Sequence, residues 1–115
     1  FINSASIRNL LNILENNDSV TLGVKVKDTI QEVDGDDIIK TLDRNNLIIT
    51  QTPQGFKKDL LLKAHMLAFK DGYSGSDDTV LLEKYFNIKA KFVFGDYRNI
   101  KLTTIEDIKL LEVIL

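Results

Sequence analysis

An α/β fold is the class this sequence predicts, and three observations carry it. Ile7, Leu10, Leu11 and Leu14 stand at the i, i+3, i+4 and i+7 spacing of one helix face. Val20, Leu22, Val24 and Val26 alternate with Thr21, Gly23 and Lys25, the period of a strand with one buried face. Far downstream, "AKFVF" (90–94) is a near-continuous apolar run, typical of a strand in a sheet covered on both faces. Helical patterns lie between the two strands.

The elements follow in order. Ser4 or Ser6 is the expected N-cap of the first helix, and "ENNDS" (15–19) stops it. After the first strand, "DTIQEVDGDDIIKTLDRN" (28–45) holds an Asp34-Gly35 turn signal between two short strand-like pieces. Those pieces carry few apolar residues, and a lone hairpin is marginal in water. The segment at about 27–45 is therefore expected to be a projecting β-arm that leans on the rest of the fold or on another chain. Residues 47–49, "LII", read as a short buried strand, and "TQTPQGF" (50–56) as a loop holding the single proline. Leu60, Leu61, Ala64, Leu67 and Ala68 form a second amphipathic face, broken by "DGYSGS" (71–76). "DDTVLLEKYF" (77–86) is a third helix, with Ser76 its expected N-cap and Asp77 and Asp78 at its positive end. "GDYRN" (95–99) is a loop, and Thr103 with Glu106 forms a capping box opening a last helix. Ile105, Ile108 and Leu111 or Leu115 are expected to face inward on it. Three or four core strands leave an open sheet with at least one bare edge, which something should complete.

Composition bounds the function. At 115 residues the chain is one domain or a piece of one. No run approaches a membrane span, and no charged region followed by an apolar stretch reads as a signal peptide. Cytoplasm is the expected location, with no membrane partner. A net charge of −2 gives no general pull towards nucleic acid. Cysteine is absent and His65 is the single histidine, which excludes disulfides, thiolate sites and His-rich metal sites. The opening "FIN" lacks a methionine, as though cut from something longer.

In open α/β sheets, ligands bind beyond the carboxyl ends of the strands. Three segments are expected there: "TQTPQGF", "GSDD" (75–78) and "RNIKLTT" (98–104). The last carries the sharpest signal. Lys101 lies just before a helix start, where stability alone favours an acid, so it reads either as part of an anion site with the free amides or as a solvated lysine. The Thr and Gln residues of 50–56 are either donors to phosphate and sugar hydroxyls or a polar helix-capping loop. Arg44 is either a bidentate phosphate ligand or the partner of Asp43. Asp77 and Asp78 read as caps rather than cation ligands. His65, with no acid at useful spacing, reads as structural or exposed.

"VKVKDTIQEV" (24–33), "DRNNL" (43–47), "QTPQGF" (51–56), "SDDTVLLE" (76–83) and "GDYRNIKLTTIEDI" (95–108) occur in an order and at separations that resemble one family. This is 2-C-methyl-D-erythritol 4-phosphate cytidylyltransferase of the non-mevalonate isoprenoid pathway, and the resemblance covers essentially the whole chain. It implies the C-terminal half of a Rossmann-like nucleotidyltransferase domain, residues 1–115 forming the C-terminal portion of that single domain. The implied reaction joins a sugar-alcohol phosphate to the α-phosphate of CTP with Mg²⁺, whose ligands are not in this chain, and releases pyrophosphate. The implied assembly is a homodimer that exchanges the arm. Arg44 and Thr29 would bind substrate phosphate in the partner subunit's site. Thr52 would lie near that phosphate, and Lys101 would hold the substrate or reacting phosphates as the catalytic cation. Ser76 stands where the family usually has threonine and keeps the hydroxyl as a substrate ligand. "FIN" falls just after the family's His-Asp-Ala-x-Arg-Pro segment.

The family's Gly-rich loop with its Arg and Lys, its cytosine-reading residues and its metal-associated Asp have no counterpart here. The 115 residues alone are therefore expected to be inactive and to lack specific CTP binding. Ribitol-5-phosphate cytidylyltransferase shares the arm and the TPQ and NIK motifs, although "SDDTVLLE" looks more like the erythritol-phosphate branch. A non-catalytic α/β phosphate-binding or assembly module is the alternative of a different class.

Overall fold

A single strand, β1 (Ser19–Lys25), organises the molecule. The computed structural model describes residues 2–115, so Phe1 of the opening motif lies outside it. β1 is central in a three-stranded sheet of order β4-β1-β5, antiparallel to β4 (Ile48–Phe56) and parallel to β5 (Lys91–Phe94). All its residues from 19 to 24 are buried, so both faces are covered, where alternation predicted one. Its central position is the reason: Thr21 and Gly23, on the face read as exposed, meet Gln54 and the Ile48 side chain instead of water.

The packing is two-sided. Helix α1 (Ser4–Leu14) lies on the face bearing Val20 and Leu22 and forms a cluster there with Leu10, Ile13, Leu14 and Val93. A Cβ at Gly55 would stand 2.8 Å from Leu10 and 2.9 Å from Leu14, so this glycine is what lets α1 approach β4. Side chains alternate along a strand, so the next residue, Phe56, turns to the opposite face. There it joins Ala64 and Ala68 of α2 (Lys58–Asp71) and Leu81 and Leu82 of α3 (Asp78–Phe86). Full burial of a side chain such as Leu22 or Leu82 contributes about 1.5–3 kcal/mol each.

Several expectations are corrected. Asn3, not Ser4 or Ser6, caps α1, its side chain accepting from the Ser6 amide. Ile7 and Leu11 are exposed, because the sheet meets the face of Leu10, Ile13 and Leu14 instead. Asp77 caps α3 in place of Ser76. The last helix, α4 (Ile105–Ile114), is opened one residue later than expected, by a capping box of Thr104 and Asp107. None of its residues is buried, and Ile105, Ile108 and Leu115 are exposed rather than inward, since among the described residues no element covers them. In β5 only Val93 is buried; Phe94 is exposed because β5 is the outer strand of the sheet.

The largest correction concerns residues 47–56. Instead of a three-residue strand and a loop, β4 runs for nine residues through the entire polar segment. Leu22 pairs with Gln51 and Thr21 with Gln54, which leaves Thr52 and Pro53 as a bulge without ladder partners. Proline has no N–H to offer a ladder, so a bulge on an edge strand is where it fits. The Thr52-Pro53 peptide is cis.

The hairpin is found where it was expected, as a separate two-stranded sheet of β2 (Gln31–Asp34) and β3 (Asp37–Thr41). Gly35 opens its turn with φ 57°, a conformation glycine adopts without a Cβ penalty. Every residue in both strands is exposed. With the arm and α4 projecting, the Cα radius of gyration is 16.3 Å, against about 13 Å for a closed domain of this length.

Candidate active site

β1 and β5 run parallel, so both end at the same edge of the sheet, and the antiparallel β4 begins there. A cleft of about 440 Å³ opens at this edge. Val24 of β1 and Ile49 of β4 contribute its apolar lining, with Gln51, Thr52 and Gln54 supplying polar groups from β4. Ser76 and Asp77 enter from the α2–α3 connection, and Tyr97, Asn99, Ile100 and Lys101 from the loop after β5. Three residues singled out from sequence, Thr52, Ser76 and Lys101, therefore share one cleft. Thr29 and Arg44 do not line it. "GSDD" links two helices rather than a strand and a helix, but still reaches the site.

Gln51 and Gln54, read from sequence as donors to a ligand or as part of a capping loop, instead hold the cleft in shape, together with Asn99 and Tyr97, which were not singled out. Gln51 Nε2 donates to the Asp96 carbonyl at 2.9 Å and to the Asn99 carbonyl at 3.2 Å. Asn99 Nδ2 donates back to the Thr52 carbonyl at 2.7 Å. Gln54 Nε2 lies 3.2 Å from Thr21 Oγ1 and 3.1 Å from Asp77 Oδ2, joining sheet to helix start. Tyr97 donates its hydroxyl to the Lys25 carbonyl at 2.8 Å, and Lys27 Nζ sits 3.8 Å above its ring. The available signal was the polar run itself: Gln side chains at positions 51 and 54 of a strand need partners, and neighbouring loops supply them.

The charges divide cleanly. Burial works against an ionised Asp77, but hydrogen bonds from the Thr79 hydroxyl, Gln54 and the Val80 amide outweigh it and lower its pKa. Its oxygens are thereby turned towards donors of the protein. Asp96 is held at about 2, first by the Arg98 side chain and then by the Arg98 amide. Arg98 thus faces Asp96, at 2.8 Å. Lys101, exposed and forming no ion pair among the described residues, is the cation left to the cleft. With Asp77 and Asp96 engaged, Lys101 is the charged side chain the cleft presents.

On the arm, Arg44 donates from Nη1 to the Lys27 carbonyl at 2.5 Å rather than pairing with Asp43, which caps the adjacent short turn through the Asn45 amide. This bond, with Leu42 N–H to the Ile30 carbonyl at 2.9 Å, ties the two feet of the arm together. His65 is exposed as expected, but it does have an acid: Asp78 Oδ1 lies 2.8 Å from its Nε2. The pairing crosses from α2 to α3 and was invisible in linear spacing. Among the described residues no group of three or more His, Asp or Glu could hold a metal ion, and no helix is long and apolar enough to cross a membrane.

Comparison with known proteins shows the family. The sequence profile of the 2-C-methyl-D-erythritol 4-phosphate cytidylyltransferase family matches residues 1–115. A protein of that name from Caldanaerobacter subterraneus subsp. tengcongensis is 48% identical over 98 residues, covering 84% of this chain and 43% of the relative. Another from Geobacillus kaustophilus is 40% identical over 115 residues, covering 100% of this chain and 50% of the relative. Among solved structures, a 4-diphosphocytidyl-2C-methyl-D-erythritol synthase from Anaerococcus prevotii superposes with a TM-score of 0.93 at 32% identity. That match covers 99% of this chain and 51% of the other. The chain thus spans about half the length of the curated relatives it matches.

Proposed function

The chain belongs to the 2-C-methyl-D-erythritol 4-phosphate cytidylyltransferase family, and on that premise we propose that it forms the acceptor-phosphate half of a cytidylyltransferase active site. The observation that carries this reading is the convergence of Thr52, Ser76 and Lys101 on one cleft whose neighbouring carboxylates are already occupied.

In the proposed reaction, a phosphate oxygen of 2-C-methyl-D-erythritol 4-phosphate attacks the α-phosphorus of CTP. A new P–O bond forms, the bond from the α- to the β-phosphate breaks, and pyrophosphate leaves with the bonding electrons. Lys101 stabilises the phosphate charge as it redistributes, a role in which a preorganised cation acts more strongly than it would in water. The hydroxyls of Thr52 and Ser76 donate to acceptor oxygens. Thr29 and Arg44 serve the partner subunit's acceptor phosphate across a homodimer built on the arm. This is consistent with their position outside the cleft and with the exposed Val33, Ile38 and Ile39, which a second chain would cover. Mg²⁺ belongs to the proposal; among the described residues no group of three or more His, Asp or Glu could hold it, and the family resemblance puts its ligands outside these 115 residues. The cytoplasm is the proposed location.

The test is product formation by the full-length protein carrying this sequence, with CTP, Mg²⁺ and either 2-C-methyl-D-erythritol 4-phosphate or ribitol 5-phosphate. Cytidylyl transfer to the erythritol phosphate is expected. Preference for ribitol phosphate would reassign the acceptor, and no transfer to either would leave a phosphate-binding module.

A further inference from the structure

We infer that Gln51 is a positioning residue for Lys101: its side-chain amide clamps the 95–101 loop that presents the lysine to the cleft. This rests on the proposed role of Lys101. The loop has no regular secondary structure, so its course is set by individual bonds. At its root the Gly95 amide donates to the Gly23 carbonyl at 2.8 Å. Asp96 then accepts from the Arg98 amide at 2.8 Å, and the Asn99 amide donates to the Asp96 carbonyl at 2.9 Å, folding the segment into a turn. These local bonds shape the turn but do not fix it against the sheet beyond Gly95. The Tyr97 hydroxyl anchors the middle of the turn to the Lys25 carbonyl at 2.8 Å, and Gln51 fixes both its ends, because its Nε2 reaches the Asp96 and Asn99 carbonyls. Two carbonyls can be met only by a donor, so the amide nitrogen must face them. Ile100 and Lys101 follow directly.

Two further observations mark the amide as placed for this purpose. Its Oε1 is buried without a hydrogen-bond partner among the described residues, a cost borne while the nitrogen makes both bonds. A Cβ added at Gly95 would collide with that same Oε1, so the loop root is shaped around the glutamine. The Asn99 bond to the Thr52 carbonyl closes the arrangement from the other side, coupling the loop that bears Lys101 to the bulge that bears Thr52.

The test is a double-mutant cycle in the full-length protein. Lys101→Ala provides the reference. If it leaves kcat unchanged, the role of Lys101 itself fails. With Lys101 confirmed, Gln51→Ala is expected to lower kcat by about ten- to a hundredfold through misplacement of the cation, while KM for CTP stays within about threefold. In the Lys101→Ala background, the same substitution should have almost no further effect. Gly95→Ala, which displaces the amide without removing it, should reproduce the kcat loss, and amide exchange across 96–101 should accelerate in both variants. An unchanged kcat in Gln51→Ala, or full additivity with Lys101→Ala, overturns the inference. Should Gln51→Ala fold poorly, Gln51→Glu keeps the volume and removes both donors, and the same outcomes decide.

Discussion

The cleft edge of the sheet and the β-arm are both polar-rich, irregular in sequence and joined to the same central strand, yet they are finished to different degrees. Around the cleft, side-chain amides of Gln51, Gln54 and Asn99 answer carbonyls, a hydroxyl and a carboxylate; Val24 beneath them is buried, while Ile49 at the wall stays exposed. On the arm every strand residue is exposed, and Val33, Ile38 and Ile39 lie open at 58%, 60% and 57%. The cleft is therefore held in shape by side-chain bonds between elements, whereas the arm's strands stand open to solvent. Tyr97 marks the junction, its hydroxyl held by β1 and its ring lying under Lys27 at the foot of the arm.

The contrast is broken most strongly through stability. Leu22→Ala, in the centre of β1, should cost about 2–5 kcal/mol in denaturant unfolding because it opens a fully buried space. Ile38→Ala on the arm should stay within about 0.5 kcal/mol for the isolated chain. In the full-length protein it should instead raise the concentration at which dimers dissociate in sedimentation. A large loss of chain stability from Ile38→Ala would mean that the arm folds back on its own core.

Activity separates the same two regions. Lys101→Ala should raise the barrier by about 2.7–4 kcal/mol, the scale of a lost transition-state electrostatic contact, with little change in melting temperature. A fall in kcat/KM below threefold at saturating Mg²⁺ would place Lys101 outside the chemistry.

A smaller effect belongs to the loop's far end. Amides of Thr103 and Thr104 donate to Asp107 and hold its carboxyl at about 2, below its ordinary 3.8. A depressed carboxyl contributes stability that is present above the unfolded value and is lost as pH falls through the folded one. The start of α4 should accordingly loosen between about pH 4 and pH 2, seen as faster amide exchange at residues 104–108, and Asp107→Asn should remove that dependence.

The same contrast shows what a linear reading can reach. The arm was legible because a Gly turn and sparse apolar residues are local signals, and α3 and β5 were legible from their apolar runs. β4 was not, since an edge strand with a bulge tolerates the polar residues and proline that ordinarily mark a loop. Cap assignment slipped by one residue at Asp77 and Thr104 because adjacent hydroxyls and carboxylates compete for the same amides, and only the chain's entry angle decides. Among the residues lining the cleft, Lys101, Thr52 and Ser76 had been singled out from their motifs. Gln51 and Gln54 were noticed only as polar donors, and their bonds, like those of Asn99, were not readable because the partners lie 23 to 48 residues away.

Central to this account is that the acceptor site takes its cleft from one chain and Arg44 from another. Lys101→Ala and Arg44→Ala versions of the full-length protein should each be nearly inactive as homodimers. Mixed under conditions where subunits are shown to exchange, they should regain activity, because each heterodimer holds one site with both an intact cleft and an intact arm. Recovery approaching a quarter of the wild-type rate is expected, from about half the dimers being mixed and one site in each being whole. Exchange without recovery would contradict the account and return Arg44 to its own subunit's site.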